Sequence, residues 1–251
     1  ANDSTTLALT LDSSGSMLSP VSDANGDAIL APDGENHTRY SLVASSTHQL
    51  IDMTKANDPA AEIAVTLFSS DIYPLTDTTI AQLLALYDVN GDEVSFSINS
   101  STGFIKDAAT LHTLIDLYNP QSELYSPYFG PIIARHADRI DNIATASAYP
   151  FSGGTAFYDS IDSAIDQLVN AKAAKPMIVA LTDGEDNSSI YTPDEIIAKA
   201  NQYNIPVNII AAGDGINDTS ADTMKKIATD TGSDYFDVTN IADLGGFLAS
   251  I

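Results

Sequence analysis

The chain has 251 residues, with 34 acidic and 10 basic side chains, a formal charge of −24 and no cysteine. Hydrophobic residues make up 44%, enough for a packed core, so general disorder is excluded. The acid excess excludes phosphate-backbone binding, which needs clustered Lys and Arg. The lack of cysteine excludes disulfides and thiolate zinc sites, and no apolar run reaches the ~18 residues of a membrane-spanning helix.

In chain order, Leu7-Ala8-Leu9-Thr10-Leu11 reads as a buried strand stopped at Asp12. Residues 39–55 carry Leu42, Val43, Leu50 and Ile51 at helical spacing. Ile63–Phe68 is a second strand, and Ser69-Ser70-Asp71 turns it into Ile72-Tyr73-Pro74-Leu75, where the proline implies an edge position. Residues 155–170 place Phe157, Ile161, Ile165 and Leu168 on one helical stripe.

Beyond this the pattern alternates. Met177–Leu181 is a strand, and Thr192-Pro193-Asp194-Glu195 opens a helix with a capping box. Val207–Ala211 is a strand, 220–231 a helix ending at Gly232, Tyr235–Val238 a last strand and 241–250 a closing helix. Strands apolar on both faces and alternating with helices predict an α/β fold: a doubly wound, Rossmann-like, mostly parallel sheet flanked by helices, with one antiparallel edge strand. Residues 1–251 form a single domain on this reading. Residues 77–150 break the rhythm and read as an insertion, with helical spacing at 78–87, 108–118 and 132–145 and strand-like alternation at 94–98.

The acids are unevenly chosen, 28 Asp against 6 Glu. Asp is a turn and cap residue and a hard oxygen ligand, so the excess fits either a solubilising surface or a calcium-rich medium. His37, His48, His112 and His136 show no metal-ligand spacing and read as surface or packing residues.

Three loops at strand carboxyl ends carry the chemistry: Asp12-Ser13-Ser14-Gly15-Ser16, Ser152-Gly153-Gly154-Thr155 and Thr182-Asp183-Gly184. In open α/β sheets, sites form beyond the strand carboxyl ends where the strand order reverses. The carboxylates of Asp12 and Asp183, with the hydroxyls of Ser14, Ser16 and Thr155, make an all-oxygen shell for one divalent cation: magnesium or calcium, with manganese also acceptable. Only two ligands are anionic, so the ion stays electrophilic and can take a carboxylate from a partner. Gly15 is expected to relieve the bend.

With these loops the sequence resembles the von Willebrand factor A domain and its metal-ion-dependent adhesion site. The resemblance covers residues 6–76 and 150–251. It makes Asp12, Ser14 and Ser16 the first-loop ligands, Thr155 a direct or water-mediated ligand, and Asp183 a ligand through water. It departs from the family at the 77–150 segment and at the acidic loop Ser19–Asn36. The function it implies is an extracellular, cell-surface binding module within a larger protein such as a bacterial adhesin. Its partner would be a protein or glycan offering an oxygen ligand, with no nucleic acid, no membrane insertion and no catalysis. The mixed aromatics Tyr118, Tyr125, Tyr128, Phe129, Tyr149 and Phe151 fit a specificity surface beside the metal, or a small core of the insertion.

Two other readings compete: an intracellular scaffold of a chelatase or ATPase complex, and a phosphatase of the haloacid dehalogenase type. For the phosphatase, Gly213-Asp214-Gly215-Ile216-Asn217-Asp218 and the Asp12 loop resemble its motifs, but Lys172 and Lys175 fall at the wrong edge of the sheet. Asp23-Ala24-Asn25-Gly26-Asp27 and Asp88-Val89-Asn90-Gly91-Asp92 lack the Gly and Glu of a calcium loop and read as Asn-Gly turns.

Overall fold

The structure is a computed structural model that describes residues 4–23, 25–30, 38–85, 97–118, 154–211 and 216–237. Five strands run parallel: β1 (Thr5–Asp12), β2 (Glu62–Phe68), β4 (Lys175–Thr182), β5 (Val207–Ala211) and β6 (Tyr235–Asp237). β3 (Ile72–Pro74) is antiparallel to β2 at the edge, where its proline costs no ladder bond. The order is β3-β2-β1-β4-β5-β6. The chain leaves β1 for one side of the sheet and returns to its other side at β4, so the order reverses between these two strands. Thr5 sits beside Lys175 and Leu11 beside Leu181, which brings Asp12 and Thr182 level at the carboxyl edge.

Alternation along the strands feeds two cores. Leu7, Leu9, Leu11, Ile63, Val65, Val179 and Leu181 pack beneath α1 (Arg39–Asn57) and α3 (Ala108–Leu117). On the other face, Ala8, Ile178, Ala180, Val207 and Ile209 meet α4 (Phe157–Asn170), α5 (Pro193–Gln202) and α6 (Asp218–Asp230). Each fully buried Leu or Ile contributes roughly 1.5–3 kcal/mol.

The helices start where capping chemistry allows. Thr38 and Ser41 exchange side-chain bonds with each other's backbone N–H ahead of α1. Thr192 accepts from Glu195 N at the start of α5, although the Glu195 carboxylate takes the Thr192 hydroxyl and no reciprocal backbone bond forms. α6 begins two residues earlier than the apolar spacing implies, because Asn217 caps it by accepting from Ser220 N. It ends at Gly232, whose φ of 85° suits glycine.

Residues 77–85 and 97–118 pack into the same core as the sheet. Ile80 of α2 (Asp77–Ala85), with Ile98, Ile105, Leu111, Leu114 and Leu117, joins the core of Leu7 and Leu9. Ile63 and Ile105 exchange backbone bonds of 2.9 Å. The alternation read at 94–98 makes no strand at 97–98, where Ile98 N instead donates to Asp77 Oδ1. Tyr118 is 1% exposed and belongs to this core, which removes it from the expected specificity surface. Tyr125, Tyr128, Phe129, Tyr149, Phe151, the 132–145 and 241–250 helices and the Asp88–Asp92 turn lie outside the described residues.

Candidate metal centre

β1 delivers Asp12 to the reversal point with its side chain fully buried. Ser14 N donates to Asp12 Oδ1 at 2.8 Å, and the Thr182 hydroxyl at the end of β4 donates to Oδ2 at 2.8 Å. Past Asp12 the chain winds into a short 3-10 turn, Gly15–Leu18, closed by Met17 N to Ser14 O at 3.0 Å and anchored by buried Met17. The turn brings Ser14 Oγ and Ser16 Oγ to 3.0 Å. Gly15 is not among the positive-φ glycines, so the turn does not draw on glycine's freedom there.

The second loop hangs from the end of β2, as the first does. Ser13 N donates to Phe68 O at 2.7 Å, Ala156 N to Ser69 O at 2.7 Å and Gly154 N to Ser70 Oγ at 2.6 Å. Thr155 lies between these last two anchors, 6% exposed. Its N–H donates to Asn187 Oδ1 at 2.8 Å, and its carbonyl accepts from Asn187 N and Ser188 N. Gly154 allows a close approach: a Cβ there would stand 2.6 Å from Asn187 Oδ1 and 3.2 Å from Ser70 Oγ, so those side chains would have to shift. Ser152 and Gly153 lie outside the described residues.

Asp183 follows β4, fully buried, and its N–H points to Asp12 Oδ2 at 3.4 Å. Its Oδ2 accepts from Arg39 Nη1 at 2.9 Å, while its buried Oδ1 has no hydrogen-bond partner among the described residues. A buried carboxylate oxygen left bare is costly and calls for an explanation. The structure therefore joins the first and third loops through Asp12 and Asp183, ties the second to the end of β2 and to Asn187, and adds a guanidinium.

The charge balance is short by about one unit. Among the described residues, two buried carboxylates share one guanidinium, and that one lies on Asp183. Burial first, then the Asp183 charge, pushes the Asp12 carboxyl up to about 7, against the hydrogen bonds from Ser14 and Thr182 that favour its ionised form. Among the described residues no group of three or more His, Asp or Glu is placed to hold a metal. The set here is of another kind, two carboxylates with hydroxyls, which suits a hard dication completed by water. The bare Asp183 Oδ1 and the under-compensated Asp12 both fit such an ion.

Residues 134–249 match the family model of the von Willebrand factor type A domain. That stretch holds Thr155 and Asp183, and the sheet order sets β1, with Asp12, next to Asp183. This stretch is similar to a von Willebrand factor A domain. No curated protein sequence matches the chain significantly. Proximal thread matrix protein 1 from the mussel byssus, in a form with a zinc-occupied MIDAS motif, aligns over 98% of this chain and 45% of its own, with a TM-score of 0.54 and 13% identity. The von Willebrand factor type A protein of Catenulispora acidiphila aligns over 100% of this chain and 42% of its own, at 0.53 and 16%. An aerotolerance-related membrane protein from Bacteroides fragilis aligns over 98% and 99%, at 0.55 and 14%. The chain thus spans less than half the length of the first two, and at these identities the likeness speaks for the A-domain fold alone.

Arg39 is the site residue that sequence reasoning missed. It is the first residue of α1 and lies 144 positions from Asp183, so no local spacing reports the pair. The available signal was scarcity, with only 10 basic residues in the whole chain. The phosphatase-like elements are used otherwise: Lys175 begins β4 beside Thr5 at the far edge, and Asn217 caps α6. Gly213-Asp214-Gly215 lies outside the described residues. Asp23 Oδ1 accepts from Asn25 N and Asp27 N around Gly26 at φ 85°, a tight turn held by its own acid.

Proposed function

We propose that this domain is a binding module that engages its partner through one divalent cation held by Asp12, Ser14, Ser16, Thr155 and Asp183. The observation that carries the reading is the bare, buried Oδ1 of Asp183 beside an Asp12 with no cationic partner among the described residues. When bound, the ion supplies an open coordination position for an oxygen ligand from the partner. The protein's part is to fix the first-loop hydroxyls through the 3-10 turn and to aim Asp183 through Arg39. With Arg39 in place, two carboxylates and a dication leave the site positive by one, which favours an anionic ligand such as a carboxylate on a protein or glycan.

Binding without catalysis is supported by the neighbours of the two acids. Among the described residues their hydrogen-bond partners are hydroxyls, backbone N–H groups and a guanidinium, with no histidine or lysine among them. Exposed Ile190 and Tyr191 follow the 187–188 stretch bound to Thr155 and offer apolar contact beside the site. The acid-rich surface suits a calcium-containing exterior, so we place the domain at a cell surface within a larger protein.

Calorimetry with magnesium, calcium and manganese tests the reading. Wild type binds one dication, and Asp12→Ala and Asp183→Ala lose it. Partner binding, screened on glycans and surface proteins, disappears in chelator. Unchanged cation affinity in both variants sinks the assignment, and metal-dependent phosphate-ester turnover lost on Asp12→Asn replaces it with the phosphatase.

A further inference from the structure

A second cluster lies well away from the carboxyl edge, at the seam between α1 and α3. His48 Nδ1 stands 2.7 Å from His112 Nδ1, with ring centroids 4.9 Å apart and the planes tilted by 36°. The outer nitrogens are both engaged: His48 Nε2 lies 2.7 Å from Asp116 Oδ1, and His112 Nε2 lies 2.7 Å from Asp52 Oδ1. Each helix contributes a His and, one turn on, an Asp, and the pairs cross between the helices. This repeated His-x-x-x-Asp spacing was the sequence signal, hidden because 64 residues separate the two histidines.

Proton counting decides what the seam needs. An ionised carboxylate only accepts, so each Nε2 carries a proton, and a neutral ring in that tautomer has a bare lone pair at Nδ1. Two lone pairs facing each other at 2.7 Å repel. The contact is favourable only if one ring takes a second proton and donates it across, or if a metal cation lies between them.

We propose that His48 and His112 form a second metal site, for a nitrogen-preferring divalent ion of the zinc class held by the two Nδ1 atoms. Imidazole suits such ions, and a carboxylate on the outer nitrogen is the arrangement that fixes a ligand ring and raises its basicity. The two Asp balance the charge of a dication. The rings are 26% and 28% exposed, so an ion reaches them from solvent. Nitrogens at ~2.0–2.1 Å from a tetrahedral ion sit about 3.3 Å apart, so the rings need open by only about 0.6 Å. No third His, Asp or Glu among the described residues is placed to join them, so water fills the other positions. The ion would bridge α1 to α3 over the core of Leu7 and Leu9.

The test is a zinc titration by calorimetry near neutral pH, with excess magnesium to occupy the oxygen-rich site. Wild type takes up one equivalent of zinc, and so does Asp12→Ala. His48→Gln, His112→Gln and the double variant weaken that binding more than tenfold. Ring-nitrogen NMR on wild type needs no variant: zinc shifts both Nδ1 signals and leaves both Nε2 protonated. Zinc uptake that survives the double variant, or Nδ1 signals indifferent to zinc, overturns the site and leaves the seam a shared-proton contact. With the double variant titrated in the Asp12→Ala background, neither result depends on whether Asp12 and Asp183 bind a cation.

Discussion

Two acidic clusters in this domain meet the same problem under opposite solvation. At the carboxyl edge, Asp12 and Asp183 are fully buried and share the Arg39 guanidinium. At the α1–α3 seam, the Asp52 and Asp116 side chains are 70% and 38% exposed, each with an imidazole at 2.7 Å. If the seam loses its central cation, the rings can turn to water at small cost. The edge has no such escape, because water has been removed from both carboxylates. Burial, more than the number of acids, decides which cluster the protein must supply with positive charge.

The largest effect comes from removing charge at the edge. Asp12→Asn keeps the shape and can turn its amide toward the Thr182 hydroxyl, which can accept as well as donate. Cation affinity should fall by well over tenfold, more than ~1.4 kcal/mol. In chelator the melting temperature should rise, since a buried, under-compensated carboxylate has become neutral. Calorimetry and a melting curve read the two halves separately, and a variant less stable in chelator would show that Asp12 is not under-compensated.

Arg39→Gln should act in the opposite sense. It leaves the buried Asp183 carboxylate with no cation, so the chelated domain should lose roughly 1–3 kcal/mol, discounted for the residual 15% exposure of the Arg39 side chain. The melting-temperature gain on adding magnesium or calcium should grow, because the ion then meets two uncompensated acids. If the gain shrinks, Arg39 matters for aiming Asp183 more than for its charge.

The two clusters also mark what a sequence makes legible. β1 and β4 were readable because apolar runs closed by Asp12 and by Thr182-Asp183 report strand and loop in one short stretch. A candidate ligand set could be drawn from the sequence because each loop keeps its hydroxyls or carboxylate within a few residues. The start of α5 was visible in Thr192-Pro193, whereas Asn217 moved the start of α6 because a cap overrides apolar spacing. Arg39–Asp183 and His48–His112 were not readable, since each joins distant segments through long side chains whose meeting is fixed only by helix packing on the sheet. Residues 77–150 read as an insertion because their spacing breaks the strand–helix alternation, and the apolar residues of 97–118 cover the sheet beside α1.

Acidity should sharpen the contrast between edge and seam. Asp12 has its folded-state carboxyl raised from 3.8 to about 7. The folded protein therefore holds a proton that the unfolded chain has released between those values, and its contribution to stability is lost as pH rises through that window. In chelator, denaturant midpoints should fall from about pH 4 to about pH 7, and Asp12→Asn should flatten that part of the curve. Cation affinity should rise over the same window, because the ion needs the ionised carboxylate. A midpoint in wild type that climbs across the window no less steeply than in Asp12→Asn would contradict the burial argument.

The smallest effect expected at the edge is that of Thr155→Ala, which isolates one hydroxyl. The loop is held by the backbone of this residue: its N–H on Asn187 Oδ1, its carbonyl on Asn187 N and Ser188 N. Alanine keeps all three bonds, so the melting temperature in chelator should stay close to that of wild type. Gly154→Ala is the contrasting control, since its Cβ collides with Asn187 Oδ1 and shifts that side chain, which holds the same loop. The hydroxyl of Thr155 is one neutral ligand beside two carboxylates, so its loss should weaken cation binding by about tenfold or less, in the range of a single polar contact of ~0.5–1.5 kcal/mol. Thr155→Ser should restore it, because serine returns the oxygen without the methyl. Cation affinity unchanged in Thr155→Ala would remove Thr155 from the ligand set, and the second loop would then serve the edge only by closing it against water.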